Sequence, residues 1–125
     1  MATTILIVDD SPTMRSMVRS VLEGDQHRVV EACDGRAALS AVDAASPDLV
    51  ITDVNMPEMD GLTLVRALRE RERQRFTPIL VLTTEHSDAM KQRGREAGAT
   101  GWLVKPFHPD QLRQVVHRVL KVRPS

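Results

Sequence analysis

At 125 residues, 42% of them apolar, the chain can build one domain around a real core without disulfide or metal staples. A single cysteine, Cys33, excludes an internal disulfide and suits a reducing cytoplasm. No apolar run approaches a membrane span, and the first residues lack the layout of a signal peptide. The formal net charge of zero argues against bulk attraction to nucleic acid, but it hides an imbalance. Residues 1–60 carry 4 basic and 11 acidic side chains, against 13 and 6 in residues 61–125. A cation is the natural guest of the acidic half; the basic half is open to an acidic partner, with a scattered solvated surface the better explanation.

In chain order, the apolar run Ile5-Leu6-Ile7-Val8 is a strand that ends on Asp9-Asp10. Ser11-Pro12 opens a helix whose apolar stripe is Met14, Met17, Val18, Val21 and Leu22, with Gly24 expected to close it. Arg28 to Ala32 is a short strand whose charges suit a sheet edge. Asp34-Gly35 starts a second helix that buries Ala38, Ala41, Val42 and Ala45. Leu49-Val50-Ile51-Thr52 delivers Asp53 to the end of a buried strand, and Pro57 and Gly61 hold off the next helix until after Asp60. That third helix buries Leu62, Val65 and Leu68, then runs into Arg69-Glu70-Arg71-Glu72-Arg73, a solvated face with i, i+4 pairs. Pro78 introduces a strand ending on Thr83-Thr84. Ser87-Asp88 caps a fourth helix with a poor apolar set (Met90, Ala97), and Gly101 to Val104 is a strand ending on Lys105-Pro106. Pro109-Asp110 opens a last helix with Leu112, Val115, Val116, Val119 and Leu120 inward, and residues 122–125 form a tail.

Strands and helices alternate five times, and three strands are apolar throughout. This implies an α/β fold: a doubly wound parallel sheet, covered on both faces, with its ligand beyond the strand carboxyl ends. Those ends carry Asp9, Asp10, Asp53, Thr83, Thr84 and Lys105. Clustered carboxylates repel, and Mg2+ relieves this because it takes carboxylate, carbonyl and water oxygens. A carboxylate beside Mg2+ can attack phosphorus, while a lysine and a hydroxyl neutralise the remaining phosphoryl oxygens.

With Asp9-Asp10, Asp53, Met56-Pro57, Asp60-Gly61, Thr83 and Lys105-Pro106-Phe107 in this order, the whole chain resembles the response-regulator receiver domains of two-component signalling. Asp10-Ser11-Pro12-Thr13-Met14-Arg15 and Gly98-Ala99-Thr100-Gly101-Trp102 are similar to the stand-alone chemotaxis regulators. The resemblance implies strand order 2-1-3-4-5 and a single receiver domain over 1–125 (core about 3–121) with no output domain. It implies phosphorylation of Asp53 by a chemotaxis-type histidine kinase. Mg2+ would be held by Asp10, Asp53 and the backbone carbonyl of Asn55, with Asp9 on ligand waters. Thr83 and Lys105 would meet the phosphoryl oxygens. Trp102 stands at the aromatic switch position, where Tyr or Phe is usual, with simple packing on an edge strand an equal alternative, and Thr84 stands where a small residue is often found. The fourth helix, fifth strand and fifth helix would form the output face, read by a flagellar motor switch protein or another downstream protein.

A phosphatase partner also fits the family, as does service as a phosphate sink or relay intermediate. The expected protein is a cytoplasmic monomer, with no membrane or nucleic-acid partner, that acts as a phosphoacceptor rather than an enzyme. A phosphatase of the haloacid-dehalogenase kind would need an aspartate at position 11, where Ser11 stands, and no G-x-G-x-x-G supports dinucleotide binding. Lys105-Pro106 can be cis or trans. The four histidines lack metal-ligand spacing, and Met14, Met17, Met56 and Met59 read as packing residues.

Overall fold

The computed structural model describes residues 3–121; the tail expected at 122–125, and the domain's outermost residues with it, lie outside the described residues. Five strands, β1 (Thr4–Val8), β2 (Arg28–Ala32), β3 (Leu49–Thr52), β4 (Ile79–Thr83) and β5 (Gly101–Val104), form one parallel sheet in the order 2-1-3-4-5. Between and after them run α1 (Pro12–Gly24), α2 (Gly35–Ala45), α3 (Gly61–Glu70), α4 (Asp88–Ala97) and α5 (Pro109–Lys121). Alternation along the strands divides the core into two layers. Ile5, Ile7, Leu49, Ile51, Leu80 and Leu82 pack beneath α1 and α5. Leu6, Val8, Val50, Ile79 and Val81 pack beneath α2, α3 and α4.

Helix starts follow local chemistry. The side chains of Ser11, Asp34, Asp60 and Ser87 accept hydrogen bonds from the backbone N–H of Met14, Ala37, Thr63 and Met90 respectively. Helix ends are less regular. Gly24 is the last residue of α1 rather than its stop, and the chain reverses at Gln26, whose φ is 67°. The N–H groups of Asp25 and His27 both bond back to the Leu22 carbonyl, so the reversal satisfies the helix end without a glycine. At α4 the stop is Gly98, with φ 112°, where a side chain would be strained.

The Arg/Glu run departs from its expected form. Helix α3 ends at Glu70, and Glu72–Gln74 form a 3-10 turn. Arg69 turns inward and donates to the carbonyls of Gly98, Gln74, Arg75 and Thr77, and burial pushes its pKa below the ordinary arginine value. Arg71 pairs with Asp43 of α2 instead of a neighbour on its own helix. These carbonyls outcompete i, i+4 pairing because they hold a partly buried guanidinium that water cannot fully solvate. Leu64 joins Leu62, Val65 and Leu68 in the core, whereas Ala41, Ala45, Val115 and Leu120 are only half-buried.

The charged edge strand has more structure than edge protection requires. Glu31 of β2 bonds to Arg19 and Arg15 of α1, and these bonds, Arg19 first, hold its carboxyl below the usual glutamate range. A depressed acid stabilises the fold above its unfolded pKa and loses that contribution as pH falls through the folded one. Glu31→Gln is therefore expected to cost about 0.5–1 kcal/mol near neutrality. The gap between variant and parent in urea melts should narrow as pH falls below the ordinary glutamate range and vanish once Glu31 is protonated in the folded protein too.

Candidate functional site at the strand carboxyl ends

The register alone brings the acids together. Val8 pairs with both Ala32 and Thr52, so the residues that follow, Asp9 and Asp53, leave the sheet side by side. The ladder runs one residue further, with the N–H of Asp53 donating to the Val8 carbonyl at 3.0 Å and that of Asp9 to Ala32 at 3.2 Å. Thr83 pairs with Val104, which sets Lys105 next along β5, and the Lys105 N–H donates to the Thr83 carbonyl at 2.8 Å. The Lys105–Pro106 peptide is cis, one of the two forms left open by the sequence.

The Lys105 ammonium reaches across the strand ends. Its Nζ lies 3.0 Å from Asp9 Oδ2 and 3.2 Å from Asp53 Oδ2. The other oxygen of each acid is taken by backbone: Asp9 Oδ1 accepts from the N–H of Ser11 at 2.9 Å, and Asp53 Oδ1 from that of Val54 at 2.7 Å. Asp9 is buried, Asp53 half-buried and Asp10 exposed, so the acids grade from core to solvent. Oxygens of Asp9, Asp10 and Asp53 lie within 4.8 Å of one another. Three hard carboxylates of graded exposure fit Mg2+, which keeps several waters and takes few protein ligands.

Thr83 is fully buried at the end of β4, and its hydroxyl accepts from the Glu85 N–H at 3.3 Å. Asn55 is exposed; its backbone N–H approaches Asp53 Oδ1 and its amide reaches Glu85 Oε1, both at 3.4 Å. Thr84 is exposed and faces away from the core. Trp102 stands apart from the acids. Its half-buried indole lies against Gly94 of α4, where a Cβ would come within 2.5 Å of the ring, and its N–H donates to the Glu85 carbonyl at 3.0 Å. Asp9, Asp10, Asp53 and Lys105 thus share one pocket, and the Trp102 indole bonds to the loop that carries Glu85.

Two contributors escaped sequence reasoning. Glu85 receives Asn55 and Trp102, and no motif announces it. Arg15 donates through Nη1 to the Asp9 carbonyl while its Nε bonds Glu31 at 3.0 Å. Its place four residues after the Ser11 cap puts it on the turn facing β1 and β2, a signal visible in the helical period.

Comparison with known proteins gives the same picture. Residues 5–117 match the family model of the response regulator receiver domain. The chain is 40% identical over 118 residues to chemotaxis protein CheY1 of Helicobacter pylori, covering 93% of this chain and 95% of that protein. It is 36% identical to chemotaxis protein CheY of Pseudomonas aeruginosa, with 94% and 95% covered. It also matches the transcriptional regulatory protein ResD of Bacillus subtilis at 38% identity, but spans only 46% of that protein. The solved structure of chemotaxis response regulator CheY4 of Vibrio cholerae superposes with a TM-score of 0.91 at 47% identity, covering 95% of this chain and 99% of that one. The receiver domain of a sensor histidine kinase from Pseudomonas aeruginosa, solved with a magnesium ion coordinated in its active-site cleft, superposes with a TM-score of 0.88 at 26% identity, covering 97% and 99%. The chain belongs to the response-regulator receiver domains.

Proposed function

We propose that Asp53 accepts a phosphoryl group from the phosphohistidine of a histidine kinase, and that the acyl phosphate so formed alters the α4–β5–α5 face read by a downstream protein. The observation that carries this reading is the Lys105 ammonium between Asp9 and Asp53, a fixed cation where a transferred phosphoryl group would bring negative charge. An oxygen of the Asp53 carboxylate attacks phosphorus, the O–P bond forms as the N–P bond breaks, and the imidazole leaves with its electron pair. The Val54 N–H fixes the plane of the attacking carboxylate. Thr83 then offers its hydroxyl and Lys105 its ammonium to the phosphoryl oxygens. Asp10, Asp53 and the Asn55 carbonyl would hold Mg2+, with Asp9 on its waters, and the ion would supply charge neutralisation for the incoming group. The protein is a phosphoacceptor that takes part in its own phosphorylation and dephosphorylation, without turning over an external substrate.

Intact-mass analysis after incubation with a small acyl-phosphate donor tests this. The parent should gain one phosphoryl group with Mg2+ and none with chelator. Asp53→Ala should cut the rate at least about a thousand-fold without unfolding the protein. An Asp53→Ala protein that takes up phosphate at the parental rate overturns the assignment.

The finer setting is chemotaxis in the cytoplasm, with a chemotaxis-type kinase as donor and a flagellar motor switch protein as target. Support comes from relatives named as chemotaxis proteins that this chain covers nearly end to end. The small buried set of α4, Gly94 and Ala97, suits an element that shifts at low cost. The Trp102 bond to the Glu85 carbonyl supplies a link from the pocket loop to β5. Capture by the motor switch protein that rises on loading of Asp53 would support messenger service; loading without capture would favour a phosphate sink.

A further inference from the structure

The peptide joining Asp9 to Asp10 is gripped from the side by α1. Arg15 Nη1 donates to the carbonyl oxygen of Asp9, and the guanidinium is itself fixed by Glu31, whose second oxygen is bonded by Arg19. The side chain of Arg15 is only 17% exposed, so this is not a surface pair in open water. A peptide unit is planar, so fixing the direction of that carbonyl fixes the plane from which the Asp10 backbone departs. On either side the chain is anchored as well, by the Asp9 N–H on Ala32 and by the Ser11 N–H on Asp9 Oδ1. The Asp10 carboxylate, by contrast, is exposed and has no hydrogen bond or ion pair among the described residues. Its aim toward Asp9 and Asp53 comes from the backbone beneath it.

We infer that Arg15 is the positioning residue of the acidic pocket, holding the Asp9–Asp10 peptide so that Asp10 faces the same point as Asp53. The inference rests on the pocket being a Mg2+ site, and its sign separates it from simple electrostatics. A cation beside three carboxylates repels a second cation, so deleting Arg15 for its charge alone should tighten Mg2+ binding. Loss of a positioning contact should weaken it, as when the outer support of a metal ligand is removed.

Calorimetric titration of Mg2+ into metal-free protein decides between these. Arg15→Ala is expected to bind Mg2+ about 10-fold more weakly, with displaced amide resonances at Asp10 and Ser11 before any metal is added. Arg15→Lys, which keeps the charge and one donor, should recover part of the affinity. Arg19→Ala removes the same charge from the same network without touching Asp9, and should stay within about twofold of the parent. Binding by Arg15→Ala as tight as the parent's or tighter overturns the inference, as does an equal loss in Arg19→Ala. Should Arg15→Ala fail to fold, Arg15→Gln is read against Arg15→Lys by the same criteria. A parent protein that binds no Mg2+ sinks the metal site itself. A parent that binds beside an unaltered Arg15 variant sinks only the role of Arg15.

Discussion

Lys105→Met is expected to lower the stability of the metal-free protein by about 3 kcal/mol and to regain much of that loss when Mg2+ is added. Methionine matches the apolar stem of lysine as far as Cε, so the packing is little changed and the ammonium is what goes. The side chains of Lys105, Asp9 and Asp53 are 12%, 4% and 12% exposed, which takes the triad out of the surface class where ion pairs contribute little. Breaking a buried pair leaves an uncompensated charge, and here it leaves two, on acids whose oxygens lie within 4.8 Å of each other. A divalent ion bound by the folded state alone stabilises it by mass action, so it can replace part of what the ammonium supplied. Urea melts of parent and variant in chelator and in millimolar Mg2+ measure both effects. Equal midpoints in chelator would mean that Lys105 does not hold the two acids in the resting protein. A gap unchanged by Mg2+ would mean that the ion does not occupy their pocket.

The sheet was legible because its strands are apolar on both faces. Ile5 to Val8, Leu49 to Thr52 and Ile79 to Leu82 admit few other readings, and each leads into a polar residue of the candidate site, Asp9, Asp53 and Thr83. Binding at strand ends then follows from the parallel arrangement. The order 2-1-3-4-5 came from family resemblance, since alternating strands and helices leave several orders open. What stayed hidden depends on partners distant in sequence. The Arg69 side chain reaches carbonyls from Gln74 to Gly98, so no window of the sequence contains its environment. Arg15 meets Asp9 and Glu31, six and sixteen residues away, and only the pairing of β1 with β2 brings those two within one reach. Charges on β2 read as edge protection because edge strands carry charges for that reason too. Gln26 takes the left-handed turn two residues after Gly24, and propensity alone favours the glycine.

Gly61→Ala should be the most damaging single-methyl change at the site, lowering stability by about 3 kcal/mol and the melting temperature by about 10 °C. A Cβ at Gly61 would stand 2.0 Å from the Asp53 carbonyl oxygen, 2.8 Å from its carbon and 2.9 Å from the Val54 Cα. These are backbone atoms. The Gly61 N–H also donates to the Val54 carbonyl at 2.8 Å, so the first turn of α3 is tied to the segment it would have to push away. At Gly35 and Gly94 the nearest atoms belong to the Met59 and Trp102 side chains, which can move with less effect on the pocket. At Gly24 nothing lies within 4 Å, and alanine there should be neutral or slightly stabilising through helix propensity. The Gly61 variant bears on function because the displaced unit carries Asp53. Relief of the clash shifts the carboxylate relative to Lys105, so phosphoryl uptake should fall together with stability. Thermal melts and donor-driven mass shifts, run on Gly61→Ala beside Gly24→Ala, separate the two effects. A Gly61→Ala protein that melts with the parent and is phosphorylated at its rate would mean that the α3 turn and the Asp53 peptide move apart freely. The close approach of helix to strand end would then have no part in aiming the Asp53 carboxylate.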